Sequence, residues 1–284
     1  MYRFTNASST GSLHGLRRLG LVAVLGAAAI ASIAACRETA LTRGEATAAL
    51  EEAGISAQAQ ALTSSSVEIS TNFTIGMAVE AAATELQTFI QSQLPCAQVT
   101  VSGATVTTVY GALPGSCTYR GQTYAGTHTL TIMRNQMDDV VVAHTWTSFH
   151  NDTVEVSGTA TATWSFANRT RHIVHSLTWT RLSDGRQGVG TGDRLQSALP
   201  EGILVGFQED GTHTWEGESG TWRLDVNAVQ MRWVDAIPQA GSYVLETPAG
   251  KTLTLLFERI DATKIRATIS GGAKEFTVDV TTLP

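Results

Sequence analysis

Three kinds of hydrophobic pattern follow one another along the chain. Residues 19–36, "LGLVAVLGAAAIASIAAC", are an uncharged apolar run behind Arg17 and Arg18. In the next stretch Thr42 and Glu45 have the spacing of a capping box and Gly54 sits where a helix would end, which predicts one short helix. Leu50 is nearly its only large apolar residue, and with the Ser run at 64–66 it reads as a connector. Ile75, Val79, Ala82, Leu86, Phe89, Ile90 and Leu94 then recur at helical spacing, with Asn72 as a cap and Pro95 as a stop. An apolar stripe of this kind packs on a sheet; Glu80 and Glu85, with no Lys or Arg beside them, argue against insertion into a membrane.

From about Val99 the period falls to two. Thr-, Val- and Trp-rich runs at 99–110, 117–133, 139–149, 154–167, 172–182, 203–207, 212–216, 221–233, 242–247, 251–259, 264–270 and 274–281 read as strands. Asn151-Asp152, Asp184-Gly185, Asp210-Gly211 and Gly271-Gly272 read as turns between them, and "GVGTGDR" at 188–194 as a loop or distorted hairpin. The expected fold is mainly β: a large antiparallel sheet or meander, curved or sandwich-like, with one amphipathic N-terminal helix and a short tether helix. The expected division is a signal peptide over 1–35, a lipid-anchored tether over 36–66, and one β-rich domain over 67–284 that includes the helix near 75–94.

The basic start and apolar run make a secretory signal peptide. "IAAC" at 33–36 resembles the lipobox of bacterial lipoproteins, with Ile33 where Leu is usual. The resemblance implies that Cys36 becomes the first mature residue and carries the lipid, so that the protein is tethered to a membrane rather than spanning it. Arg37, in place of the Asp that retains such proteins in the inner membrane, implies the outer membrane, facing the periplasm or the cell surface. Secretion with cleavage nearby is the rival reading. With Cys36 assigned to lipid, Cys96 and Cys117 are left as the only pair for a disulfide in an oxidising compartment.

Removal of the leader, which holds three Arg and no acid, changes the net charge from −6 to −9. So acidic a chain is not a nucleic-acid binder. The stretches "LTRGEA", "TNFTIG", "TATWSF", "LTWTR", "GTGDR", "PQAGSYVLETP" and "KTLTLLFERID" together resemble an uncharacterised family of myxobacterial-type lipoproteins. That resemblance implies an envelope location and a β-rich body, and brings no activity or catalytic residue with it.

Little in the chain is overtly chemical. Strand parity sets His128 with Leu130 and Ile132, His144 with Trp146, His175 with Leu177 and Trp179, and His213 with Trp215. Four imidazoles on the apolar face are candidates to converge on a metal, although packed core histidines are the stronger reading. His172 falls on the opposite face from His175, and His150 abuts a turn. Most of the six Trp read as core, with one or two left for a groove. The nucleophile elbow GxSxG and HExxH are absent, and "GVGTGDR" lacks the Walker Lys. The acidic pairs Asp138-Asp139 and Glu209-Asp210 read as solvated turns, and Glu216/Glu218 share a face only across Gly217. No catalytic residue and no cofactor are expected.

Three functions follow as expectations. The first is a membrane-anchored envelope lipoprotein with a non-catalytic structural or binding role, its partner an envelope protein or an apolar ligand. The second is a periplasmic carrier of an apolar ligand held in a helix-covered sheet, and the third a metal-dependent enzyme using the strand histidines.

Overall fold

The computed structural model describes residues 40–70, 78–119, 122–165, 167–202, 205–235, 237–272 and 275–282. The signal peptide, Cys36, the expected cap Asn72, Ile75 and Phe166 lie outside the described residues. Two helices, α1 (Arg43–Ile69) and α2 (Val79–Gln93), precede the strands. These are β1 (Gln98–Ser102), β2 (Thr105–Tyr110), β3 (Thr118–Tyr119), β4 (Gln122–Thr123), β5 (Ala125–Arg134), β6 (Val140–His150), β7 (Val154–Ser165) and β8 (Thr170–Arg181). Then come β9 (Gln187–Ala198), β10 (Gly206–Gly217), β11 (Gly220–Arg232), β12 (Ala240–Glu246), β13 (Thr252–Asp261), β14 (Lys264–Ser270) and β15 (Phe276–Thr281).

Thirteen of these strands form one open antiparallel meander in the order β1-β2-β5-β6-β7-β8-β9-β10-β11-β12-β13-β14-β15, and β3 and β4 pair as a separate small hairpin. The mainly β, antiparallel expectation holds, and the sheet is single rather than a sandwich. Alternation is strict where the sheet is widest. In β8, Ile173, His175, Leu177 and Trp179 are buried while His172, Val174, Ser176 and Thr178 are exposed. The Thr-rich set lies on the outer face, where Thr105 and Thr131 pair across strands at 2.9 Å and Thr107 and Thr129 at 3.3 Å.

The inner face is wrapped around α1. The helix starts on the expected capping box: Thr42 N–H donates to Glu45 Oε2 at 2.7 Å and Glu45 N–H to Thr42 Oγ1 at 3.2 Å. It does not stop at Gly54. It runs for 27 residues, through the Ser run, and buries Ala49, Glu52, Ile55, Ser56, Ala59, Leu62, Thr63, Ser66, Val67 and Ile69, whereas Leu50 is exposed. The short tether helix is therefore corrected to a core helix. Its contacts reach from Trp146 on β6, whose Nε1–H donates to Ser66 Oγ at 2.9 Å, to Lys251 immediately before β13, whose Nζ donates to Glu45 Oε1 at 2.7 Å, and just ahead of the helix Leu41 N–H donates to the Gly271 carbonyl beyond β14 at 2.9 Å. Strands so far apart in the order can touch one helix only if the sheet curls about it.

Bulges supply part of that curl by adding a residue to one strand of a pair. Register shifts fall between Trp146 and Phe149 and between Asn227 and Gln230. At the second, Ala228 has a φ of 48° and Gly241 faces it so closely that a Cβ on Gly241 would stand 2.3 Å from the Ala228 carbonyl oxygen. Asp210-Gly211, expected to be a turn, lies within β10 at another such shift, so the two short strands expected there are one strand.

α2, shorter than expected at its described start, lays Ala82, Ala83, Leu86 and Ile90 over β1, β2 and β5. A disulfide joins Cys96, at the end of this helix, to Cys117 before β3, as expected, with Cα atoms 5.3 Å apart.

"GVGTGDR" is not a loop. It forms β9, with Gly188, Gly190 and Gly192 on the inner face. A Cβ at Gly188 would lie 2.5 Å from the Trp179 indole, one at Gly190 2.7 Å from Trp215 Cβ, and one at Gly192 2.2 Å from the His175 ring. Alternate glycines thus leave room for the Trp179 and His175 rings and for the Trp215 side chain. Gly190→Val should destabilise the fold by about 1–3 kcal/mol through overpacking, while Thr191→Val, on the exposed face, should change it by less than about 0.5 kcal/mol in urea denaturation. Equal effects of the two would contradict this placement.

Candidate functional site

Strand parity placed four histidines inside, and they are inside: His128, His144 and His213 are each 1% exposed and His175 5%. They meet in two pairs rather than in one cluster. His128 Nε2 lies 3.0 Å from His144 Nδ1, and His175 Nε2 lies 3.2 Å from His213 Nδ1. In the sheet His144 pairs with Ala160, Ala160 with His175, and His175 with Gly192, which also faces His213. The pairs are therefore separated by the small residue of β7, with the Cα atoms of His144 and His175 about 10 Å apart from the spacing of strands. Among the described residues no group of three or more His, Cys, Asp or Glu is placed to hold a metal.

Each pair is part of an aromatic layer. His128 and His144 stack on Trp146, while His213 stacks on Trp215 and Trp215 on Trp222. Burial drives all four imidazoles toward the neutral form. His144 is held down at about 3, by desolvation and then the Arg171 charge. His175 is also lowered to about 3, by desolvation, Arg194 and His213, and His213 to about 4, by desolvation and Arg194. His128 lies well below the ordinary range, because of burial and then His144.

The helix meets this layer with polar groups that sequence reasoning missed. His213 Nε2 lies 2.8 Å from Ser56 Oγ, and Trp215 Nε1–H donates to Glu52 Oε1 at 3.3 Å. Glu52, 4% exposed, is also paired with Arg186 from the β8–β9 turn. The signal was present in Glu52, Ser56, Thr63 and Ser66, which recur at three-, four- and seven-residue spacing on one helix face. A Ser–His contact is also the start of nucleophilic chemistry, but Ser56 is 2% exposed and the other His213 nitrogen faces His175 instead of a carboxylate. The pair is a buried hydrogen bond that ties helix to sheet.

Beside this layer, between the last turns of α1 and strands β6–β12, is a cavity of about 290 Å³. Trp146, Ile173, Phe207, Val229, Met231, Trp233 and Tyr243 give it apolar walls, and Trp233, 52% exposed, stands at its rim against Phe207. Arg171, Arg194, Gln196 and Glu209 form its polar floor. Arg171 Nε–H donates to Gln196 Oε1 at 2.7 Å and its guanidinium pairs with Glu68 of α1. Gln196 in turn donates to Glu209 Oε2. Glu209 is thus a buried strand residue, not the solvated turn acid expected from Glu209-Asp210. Among the tryptophans that parity left unplaced, Trp222 is core and Trp233 belongs to the cavity. His172 pairs with Asp193 on the outer face at 2.6 Å, and His150 Nδ1 lies 2.8 Å from the Ser148 carbonyl oxygen.

Fold and site together define a class: an open antiparallel meander curled around its own first helix, with a small mixed cavity at one end of that helix. No family model, curated protein or solved structure matches the chain.

The neutral histidines carry a consequence for pH. Unfolded, they bind protons near the ordinary value of 6.5; folded, three of them do so only at about 3 to 4. Between these limits the unfolded chain holds more protons, so stability rises with pH and is lost as pH falls through the window. Between pH 6.5 and 5 each buried histidine should contribute up to about 1.4 kcal/mol per pH unit. Urea titrations at several pH values should show this slope, and His175→Gln should reduce it by about one proton's worth. A flat profile would contradict the buried neutral state.

Proposed function

We propose that the protein is an exported lipoprotein of the cell envelope, anchored through Cys36, whose folded domain has a non-catalytic binding role and holds an apolar ligand between α1 and the sheet. The observation that carries this reading is the cavity. At about 290 Å³ it stands at the small end of ligand pockets, which span roughly 300–1,000 Å³, and its walls combine apolar and aromatic side chains with a few polar groups. The disulfide supports an extracytoplasmic location. No described helix is long and apolar enough to cross a membrane. Attachment through an acylated N-terminus is supported by the lipobox-like "IAAC" and by the resemblance to myxobacterial-type lipoproteins. Outer-membrane placement rests on Arg37 alone. The metal-dependent reading is disfavoured by the pairing of the histidines with each other.

Thr39–Pro284 forms one compact unit, so the chain from Arg37 onward can be tested without its anchor. Exported behind a cleavable leader and purified without chelator or histidine tag, it should show in native mass spectra a lipid-sized excess over the denatured mass. The neutral probe N-phenyl-1-naphthylamine should bind and change the fluorescence of Trp146 and Trp233. No excess together with no probe uptake would overturn the binding role, and a stoichiometric metal would favour the histidine reading. For the anchor, a precursor expressed in bacteria whose mature N-terminus is unmodified and away from Cys36 would overturn acylation.

A further inference from the structure

We propose that the ligand of this cavity is a single-chain amphipathic anion, its acidic head on Arg194 and its chain along Phe207, Met231 and Trp233. This rests on the cavity being a binding site and adds the charge of what binds there.

The donors on the floor of the cavity are unequally satisfied. Arg171 is satisfied: Gln196 takes its Nε–H and Glu68 its guanidinium. Glu209 Oε2 is taken by Gln196. Arg194 is different. Its side chain is 12% exposed; among the described residues its Nε is buried with no hydrogen-bond partner, and its acid contact is Nη1 to Glu209 Oε1 at 3.4 Å. A guanidinium carries five donors in a planar fork suited to a carboxylate or phosphate. Leaving such a donor unsatisfied in a buried site is costly, and an anionic oxygen entering the cavity would remove that cost.

Position agrees with the donor count. Arg194 sits in the same sheet row as Ile173 and Gly211; β9 packs so closely on Gly211 that a Cβ there would stand 2.2 Å from the Asp193 carbonyl oxygen, so β10 contributes no side chain to that row. Arg194 also lines the same cavity as Phe207, Met231 and Trp233, so a head at the guanidinium leaves a chain apolar surface that ends at the half-exposed Trp233. Both a fatty-acid carboxylate and an alkyl phosphate have this chemistry.

The test compares ligands of one chain length on the chain from Arg37 onward, by displacement of N-phenyl-1-naphthylamine: decanoate, decyl phosphate, decanol, methyl decanoate and decyltrimethylammonium. We expect at least one of the two anions to bind tenfold or more tighter than decanol or the methyl ester, and the cation not to compete. Whichever anion binds more tightly identifies the head group. Arg194→Gln should remove the anion's advantage while retaining decanol binding, and Arg194→Lys should restore part of it. Arg194→Gln/Glu209→Gln serves if loss of one partner of the ion pair unfolds the single variant. Equal binding of anions and decanol, or an anion advantage that survives Arg194→Gln, would overturn the proposal while leaving the apolar site intact. Failure of every ligand and of the probe would instead overturn the binding role on which it rests.

Discussion

A single open sheet has two faces and, in a meander, no second sheet to cover the one that is apolar. Here the cover is α1, and it does more than exclude water. The inner face carries histidine and tryptophan N–H groups that need acceptors, and the helix brings Glu52, Ser56 and Ser66 to them. Each such bond contributes only about 1 kcal/mol net, but leaving a donor unmet in this interior would cost about 1–3 kcal/mol. Helix and sheet therefore specify one another's position along the groove. Leu62, Ile55 and Ile69 add the apolar burial, and ion pairs from Lys251 to Glu45 and from Arg186 to Glu52 hold two strand turns against the same helix.

The small residues of the sheet follow from the same arrangement. Ala160 on β7 lies between His144 and His175, and the three glycines of β9 leave room for the side chains of Trp179, His175 and Trp215 on the neighbouring strands. The layer also fixes the protonation state of the histidines, because imidazoles stacked on indoles and on each other cannot be hydrated when charged. At the end of α1 nearest its C-terminus, the small side chains of Thr63, Ser64 and Ser65 line the cavity together with Val67 and Glu68. Its polar floor is the continuation of β8, β9 and β10 beyond the last histidines.

Much of this was legible from period alone. The buried set of β8, the inward direction of all four histidines and the apolar stripe of α2 follow from spacings of two and of three to four residues. The cysteine pair followed from counting. α1 was not legible at its full length, because Ala, Ser, Thr and one Glu make up more than half of its buried face and dilute Ile55, Leu62, Val67 and Ile69, so that the face resembles a solvent face until its partners are known. β9 was misread for a related reason: Gly188, Gly190 and Gly192 resemble loop residues, but each gives its space to a ring on a neighbouring strand. Asp210-Gly211 has the composition of a turn but lies inside β10, opposite the bulge at Asn227-Ala228 of β11, where Asp210 Oδ1 accepts from Ala228 N–H. The floor of the cavity joins residues from three strands and α1, and no local spacing marks Arg194 or Glu209 as neighbours.

The central claim is that α1 is the core around which the sheet is wound, and amide hydrogen exchange tests it most directly. If α1 is the core, the amides from Ile55 to Val67 exchange as slowly as those of β7 to β10 and are released with them as one unit in rising denaturant. A connector lying outside the domain would lose its protection at low denaturant or within seconds, while the strands stayed protected. That result would contradict the account.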